Sequence, residues 1–287
     1  MKVAFFGDVH GCALHALGAA VLLGRRRGIR LDALIQVGDL GAYPSPERWD
    51  EPSRRFGADN PAQHDFFRLL DPPPRIAEGV RLALAEVPPF LFVSGNHEDH
   101  DWLASLHQAG DAVVTPVDPL GSHRHVACGN VIEVAGQRTA FLGLIELPGK
   151  MDLDPDAYAR LLAAEPGSVD ILITHDGPYG MSERHGTIQG SPKLLKLLEH
   201  LQPRLHVSGH YHHQNGPRRY GRTTSYALAQ LVQPKRHGED PDLGPRIAPG
   251  SIGLLDTETY DFEYIHDPWL AEVNGDALDL PTLLTTH

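Results

Sequence analysis

Lys2-Val3-Ala4-Phe5-Phe6-Gly7-Asp8-Val9-His10-Gly11 is the stretch from which the fold is read. A short apolar run breaks off at Gly-Asp, the pattern of a buried strand that ends in a polar loop. A helix follows: Ala13 to Arg27 sets Leu14, Leu17, Val21 and Leu22 at helical spacing, with Gly28 as the stop. Leu31 to Val37 repeats the first pattern and ends in Gly38-Asp39. Strand, helix and strand over so short a span form a βαβ unit, so the two strands are expected to be parallel neighbours.

The same device recurs downstream. Pro89 to Ser94 is an apolar strand closed by Gly95-Asn96-His97, Val169 to Thr174 runs into His175, and Leu205 to Ser208 runs into Gly209-His210-Tyr211-His212. In a parallel sheet the carboxyl ends of the strands share one edge, where ligand sites form. Residues far apart in sequence are therefore expected on one rim: Asp8, His10, Asp39, Asn96, His97, His175, His210 and His212. Imidazole and carboxylate are the ligands that transition metals prefer. Asp8 and Asp39 could instead cap helices, but capping does not account for the histidines beside them. Gly7, Gly38, Gly95 and Gly209 precede these residues where a side chain would crowd the backbone. His100, His107, His123, His125, His200, His206 and His213 fit no such position and read as surface or satisfied core histidines.

Working outward, Ala42 to Pro89 is a proline-punctuated excursion with helical pieces at Ala62–Leu70 and Arg75–Glu86. It leaves the rim, so it is expected to overhang the site. Tyr43, Trp49, Arg54 and Arg55 are its candidates for substrate contact, and His185, in the loop Glu183-Arg184-His185-Gly186, is another. A helix is expected over Asp99–Ala109. Ala135-Gly136-Gln137 marks a hairpin. Asp154–Ala164 and Pro192–Leu201 read as helices, the second with Ser191 as its N-cap. The expected organisation is one domain over 1–270, with 42–89 as the overhanging insert and 271–287 as a C-terminal tail.

Composition narrows the class. With 287 residues, 41% hydrophobic and 22% charged, the chain can bury a sizeable core. A net charge of −12 argues against a long basic nucleic-acid groove. No apolar run approaches the ~20 residues of a membrane helix. Cys12 and Cys128 are the only cysteines, so no disulfide framework is implied and a cytoplasmic location is expected. No P-loop, Gly-x-Ser-x-Gly elbow or His-Glu-x-x-His zinc motif occurs.

The ordered set Asp8-x-His10, Gly38-Asp39, Gly95-Asn96-His97-Glu98, His175 and Gly209-His210-x-His212 resembles the signature of the calcineurin-like metallophosphoesterases. The resemblance implies a four-layer α/β sandwich, with two central mixed β-sheets flanked by helices. It implies two divalent transition metal ions, manganese first, with iron or zinc as alternatives. Asp39 would bridge them, with Asp8, His10 and His212 completing one site and Asn96, His175 and His210 the other. A metal-bridging hydroxide would then attack the phosphate ester. His97, beside Asn96, would serve the leaving oxygen. Glu98 and Asp99 are candidates for support behind these residues.

Leu40-Gly41-Ala42-Tyr43 stands where protein serine/threonine phosphatases carry Val-Asp-Arg-Gly, which argues against that activity. Thr174-His175-Asp176-Gly177-Pro178, Gly190-Ser191-Pro192 and Leu198-Glu199-His200-Leu201-Gln202-Pro203 resemble the RNA lariat debranching enzymes, and so tilt the expectation towards phosphodiesters. The expected substrate is a small phosphate ester, or a nucleotide or short nucleic-acid ester, with no membrane and no obligate protein partner. The alternatives are a small-molecule phosphomonoesterase and an inactive metal-binding scaffold that kept the fold.

Overall fold

The first strand, β1 (Lys2–Phe6), is covered on both faces. Val3 and Phe5 enter one apolar cluster, Ala4 and Phe6 another. A strand with two apolar faces belongs between two layers. The computed structural model describes residues 1–110, 112–233 and 245–286.

From β1 the chain passes through α1 (Ala13–Arg27), β2 (Ala33–Gln36), α2 (Glu51–Gly57), α3 (Asp65–Leu70), α4 (Pro74–Leu84), β3 (Phe90–Phe92) and α5 (His100–Gly110). It continues with β4 (Val114–Pro116), β5 (His123–Val126), β6 (Asn130–Val134), β7 (Gln137–Leu142), α6 (Pro155–Leu162) and β8 (Ile171–Thr174). Next come β9 (Ser182–Arg184), β10 (Thr187–Gln189), α7 (Pro192–Leu201), β11 (Leu205–Ser208), β12 (Asn215–Tyr220) and β13 (Thr223–Ala227). The last elements are β14 (Val232–Gln233), β15 (Arg246–Ile247), β16 (Ile252–Asp256), β17 (Phe262–Tyr264) and α8 (Leu280–Thr286).

Two large mixed sheets result, ordered β17-β16-β1-β2-β3-β5-β4 and β12-β13-β11-β8-β7-β6. β1, β2 and β3 run parallel in the first, and β7, β8, β11 and β13 in the second. Val3, Phe5, Ile35 and Val37 meet Phe141, Ile173 and Val207 between the sheets. On the outer face of the first sheet, Ala4 and Phe6 pack with Leu14, Leu17, Val80 and Ala83 of α1 and α4. On the outer face of the second, Ala140 and Leu172 pack with Leu161, Leu194 and Leu198 of α6 and α7. This is the four-layer arrangement that the sequence implied.

Three expectations change. The strand ends do not share one sheet. β1, β2 and β3 supply the rim from the first sheet, β8 and β11 from the second, and the two carboxyl edges meet at one end of the sandwich. The reading from strand ends was blind to this, because a buried strand looks the same in either sheet. Second, 271–287 is not a free tail throughout. Leu280, Leu283 and Leu284 of α8 are buried, and a Cβ at Gly18 or Gly79 would lie 2.8 Å from Leu283 Cδ2 or 2.7 Å from Pro281 Cδ. Their i, i+3, i+4 spacing gives a one-sided helix that docks on α1 and α4. Third, the irregular start of the excursion holds α2, capped by Asp50, whose side chain accepts from Ser53 N at 2.8 Å.

Candidate metal centre

The loops that carry the expected ligands leave the strands through tight turns. His10, Asp39, His210 and His212 all have left-handed backbone, with φ of 46°, 55°, 69° and 59°. Non-glycine residues rarely hold this conformation, and when they do they cluster at functional sites. Two glycines show why the loops need room. A Cβ at Gly95 would stand 2.1 Å from Asp39 Oδ1, and one at Gly209 would stand 2.2 Å from Asp8 Oδ1.

Asp8, His10, Asp39 and His212 converge so that one ligand atom from each lies within 4.8 Å of the others. His212 Nε2 is 3.1 Å from Asp8 Oδ2, and His10 Nε2 is 3.9 Å from Asp39 Oδ2. The Nε2 atoms of His10 and His212 approach to 3.0 Å. On the other side of Asp39, His175 Nε2 is 3.3 Å from Oδ2 and 3.2 Å from Asn96 Oδ1. His210 follows, its ring centre 5.2 Å from that of His175. The structure thus brings together all seven residues expected as ligands.

The donors suit a cation. Asp39 Oδ2 is buried with no hydrogen-bond partner. A buried anionic oxygen left so is costly unless a positive charge compensates it. His175 Nδ1 donates to the Val37 carbonyl at 3.0 Å, which turns Nε2 towards Asp39 and Asn96. Burial lowers the pKa of His10 and of His210 to about 4, so both rings are neutral and able to ligate. Burial alone would raise Asp8 and Asp39, but the histidines around them hold both carboxyls below the usual range. For His175 burial opposes the charge, yet Asp39 prevails and raises it to about 10; a cation would displace that proton.

His97 stands beside this cluster. Its backbone N–H donates to Asp39 Oδ1 at 2.8 Å, and its Nδ1 lies 2.5 Å from Asp50 Oδ2. Burial disfavours the imidazolium, but the Asp50 hydrogen bond and Asp39 outweigh it and raise the pKa to about 9. Asp50 is a site residue that the sequence reading missed. Asp50-Glu51-Pro52-Ser53 carries a helix N-cap signal, but nothing in it shows that the second carboxylate oxygen meets His97. Tyr211 was missed as well. Its hydroxyl donates to Asp176 Oδ1 at 2.7 Å, tying the His210–His212 loop to the loop that carries His175.

Glu98 is buried and accepts from Gly95 N at 2.6 Å and from Gly41 N at 3.3 Å, bracing two ligand loops. Asp99 is held by Arg48 at 2.5 and 2.8 Å. A cavity of about 570 Å³ opens over His10, His97 and His212, and Trp49 lines it. Tyr43 is only 2% exposed and is not among the lining residues, so the structure does not place it for substrate contact. Its ring was absorbed by the core. His185 sits in the exposed β9–β10 turn and is not among the lining residues. Arg54 donates to the Trp49 carbonyl at 2.9 Å, and Arg55 lies over the Phe56 ring; neither lines the cavity.

The family model of the calcineurin-like phosphoesterases matches residues 1–214. The chain belongs to this family. Among curated relatives it is 40% identical over 148 residues to UPF0046 protein K07C11.7 of Caenorhabditis elegans, covering 49% of this chain and 51% of that protein. It is 31% identical over 83 residues to UPF0046 protein C25E10.12 of the same organism, covering 26% and 30%. The chain thus spans about half or less of the length of these relatives. One solved structure shares the fold at a TM-score of 0.53 and 14% identity, covering 92% of this chain and 98% of its own. Among the described residues no helix is long and apolar enough to cross a membrane.

Proposed function

We propose that this family member hydrolyses a phosphate ester with the help of two divalent cations. The observation that carries the reading is Asp39 Oδ2: buried, without a hydrogen bond, and lying between His10 Nε2 at 3.9 Å and His175 Nε2 at 3.3 Å. Asp8, His10 and His212 would hold one cation and Asn96, His175 and His210 the other, with Asp39 shared. Manganese suits this imidazole, carboxylate and amide set, with iron or zinc next. Bound there, the metals would supply a water activated at neutral pH and neutralise phosphoryl charge.

The chain's own residues do the rest. His97 keeps Nδ1 against Asp50, which leaves Nε2 for the cavity side, where it donates to the departing oxygen. Asp50 fixes the tilt of that ring. Glu98 holds the Gly41 and Gly95 backbones and thereby the approach of Asp39 and Asn96. We favour diesters slightly. A monoester carries a second negative charge, and no Lys or Arg is among the described residues lining the cavity. Cys12 and Cys128 are unpaired, in keeping with a cytoplasmic setting.

The test is hydrolysis of p-nitrophenyl phosphate and bis-p-nitrophenyl phosphate with added manganese, for wild type and Asp39→Asn. Turnover that the substitution abolishes supports the reading, and the ratio of the two rates assigns the ester class. Turnover unchanged in the variant would refute it.

A further inference from the structure

The cavity over the metal centre has a second end. Trp49, Pro52, Ser53 and Phe56 occupy one face of α2 and its lead-in, at i, i+3, i+4 and i+7, and all four line it. Phe56 is 57% exposed, an unusual position for a large aromatic side chain on a short surface helix. Arg55 covers its ring with the guanidinium carbon 4.7 Å from the ring centre. Trp49 is held from behind by His64 and Phe67, with ring centres 4.7 and 5.1 Å away, so its indole is fixed in place. Beyond the aromatics the lining turns polar, with the carboxylates of Asp59 and Asp276 beside the amides of Asn60 and Gln63. Asn60 is 7% exposed with Oδ1 unpartnered, and Gln63 is nearly as buried.

One helix therefore joins the two ends. Its N-cap, Asp50, holds His97 at the reacting end, its turns present Pro52, Ser53 and Phe56, and the amides of Asn60 and Gln63 follow just past its C-terminus. A rigid aromatic wall with a few amides recognises a flat, largely apolar group that carries hydrogen-bonding atoms on its edge. A flexible or purely ionic group would leave Phe56 facing water.

We infer that this α2 face is a subsite for a planar ring on the ester, whose phosphate lies at His10, His97 and His212. The inference rests on the phosphoesterase reading and names its substrate class: ring-bearing esters, either simple aryl groups or nucleobases. Phe56 is the specificity-determining residue that can be removed without disturbing the fold, because its side chain is already exposed.

Binding tests this without turnover. Manganese-supplemented wild type and Phe56→Ala are titrated calorimetrically with phenylphosphonate, methylphosphonate and a nucleoside 5′-monophosphate. Wild type should prefer phenylphosphonate to methylphosphonate by about tenfold, the scale of one aromatic contact plus its buried area. Phe56→Ala should lose most of that preference while methylphosphonate binding stays within about twofold. A nucleoside monophosphate that loses affinity in parallel assigns the ring to a nucleobase; one that does not assigns it to a simple aryl group, and both uphold the subsite. Equal binding of the two phosphonates by wild type, or equal weakening of both in Phe56→Ala, overturns it. No phosphonate bound at all would also overturn the subsite, while hydrolysis of the p-nitrophenyl esters tests the phosphoesterase reading separately.

Discussion

The strand-end rim and the α2 wall face each other across one cavity, yet they are built on different principles. The rim is fixed by backbone. Its proposed ligands stand at the ends of buried parallel strands, with left-handed backbone at four of them and no room for a Cβ at Gly95 or Gly209. The wall is fixed by side chains: a seven-residue helix capped by Asp50, beside a Trp49 held by His64 and Phe67. Chemistry placed by backbone tolerates little variation. Recognition placed on a short helix can change while the rim stays as it is, which is how one fold serves many esters.

The largest effect that could break this division is at the rim. Asp39→Asn should cost at least ~10³-fold in kcat, the scale of removing one group that stabilises transition-state charge. A variant with near-wild-type turnover would show that the rim is not the reacting centre. Next comes the link between the two regions. Asp50→Asn should lower kcat by about 10²-fold with KM little changed, because it loosens the hold on the His97 ring while keeping the α2 cap and touching no ligand. Loss of bound metal in that variant, measured by elemental analysis, would mean instead that α2 holds up the rim. A third, smaller effect separates support from chemistry: Tyr211→Phe should weaken manganese binding by about tenfold, as breaking an outer contact of a ligand loop does. Unchanged affinity would make the Tyr211–Asp176 bond merely structural.

Most of the rim was legible in the sequence, and for a physical reason. A strand buried on both faces is a continuous apolar run, so the first polar residue after it marks the sheet edge, as at Phe6-Gly7-Asp8 and Ser208-Gly209-His210. Which sheet each strand joins was not legible, because β1 and β8 carry the same kind of pattern. The wall was half legible. Trp49 was anticipated, but Tyr43 went into the core and Arg54 turned back to the Trp49 carbonyl. Local pattern says that α2 forms; only tertiary packing decides which of its side chains meet the cavity. Asp50 is the sharpest case, since its cap role is local and its bond to His97 spans 47 residues. Likewise 280–286 joined α1 and α4 through apolar spacing that lies just beyond a polar turn.

The smallest predicted effect lies outside both regions. His123, His125 and His206 fit no motif, and the structure buries them, with burial depressing their pKa values to about 4, 3 and 3. His206 bridges Thr174 Oγ1 and Ser225 Oγ, each at 2.7 Å. A folded-state pKa below the unfolded value of ~6.5 means that the unfolded chain binds more protons. The stability these histidines contribute is then complete above pH ~6.5 and is lost as pH falls towards about 3. Denaturant midpoints should drop over that window, and less steeply in His206→Gln. A flat profile from pH 7 to 4 would contradict the assignment.

Whether Asp39 is shared between two cations is read from a metal count. Purified protein is saturated with manganese, desalted and measured for metal per chain, wild type beside Asp39→Asn. The account predicts about two ions per wild-type chain and at most one in the variant. Two ions retained in Asp39→Asn, or none held by wild type, would contradict it.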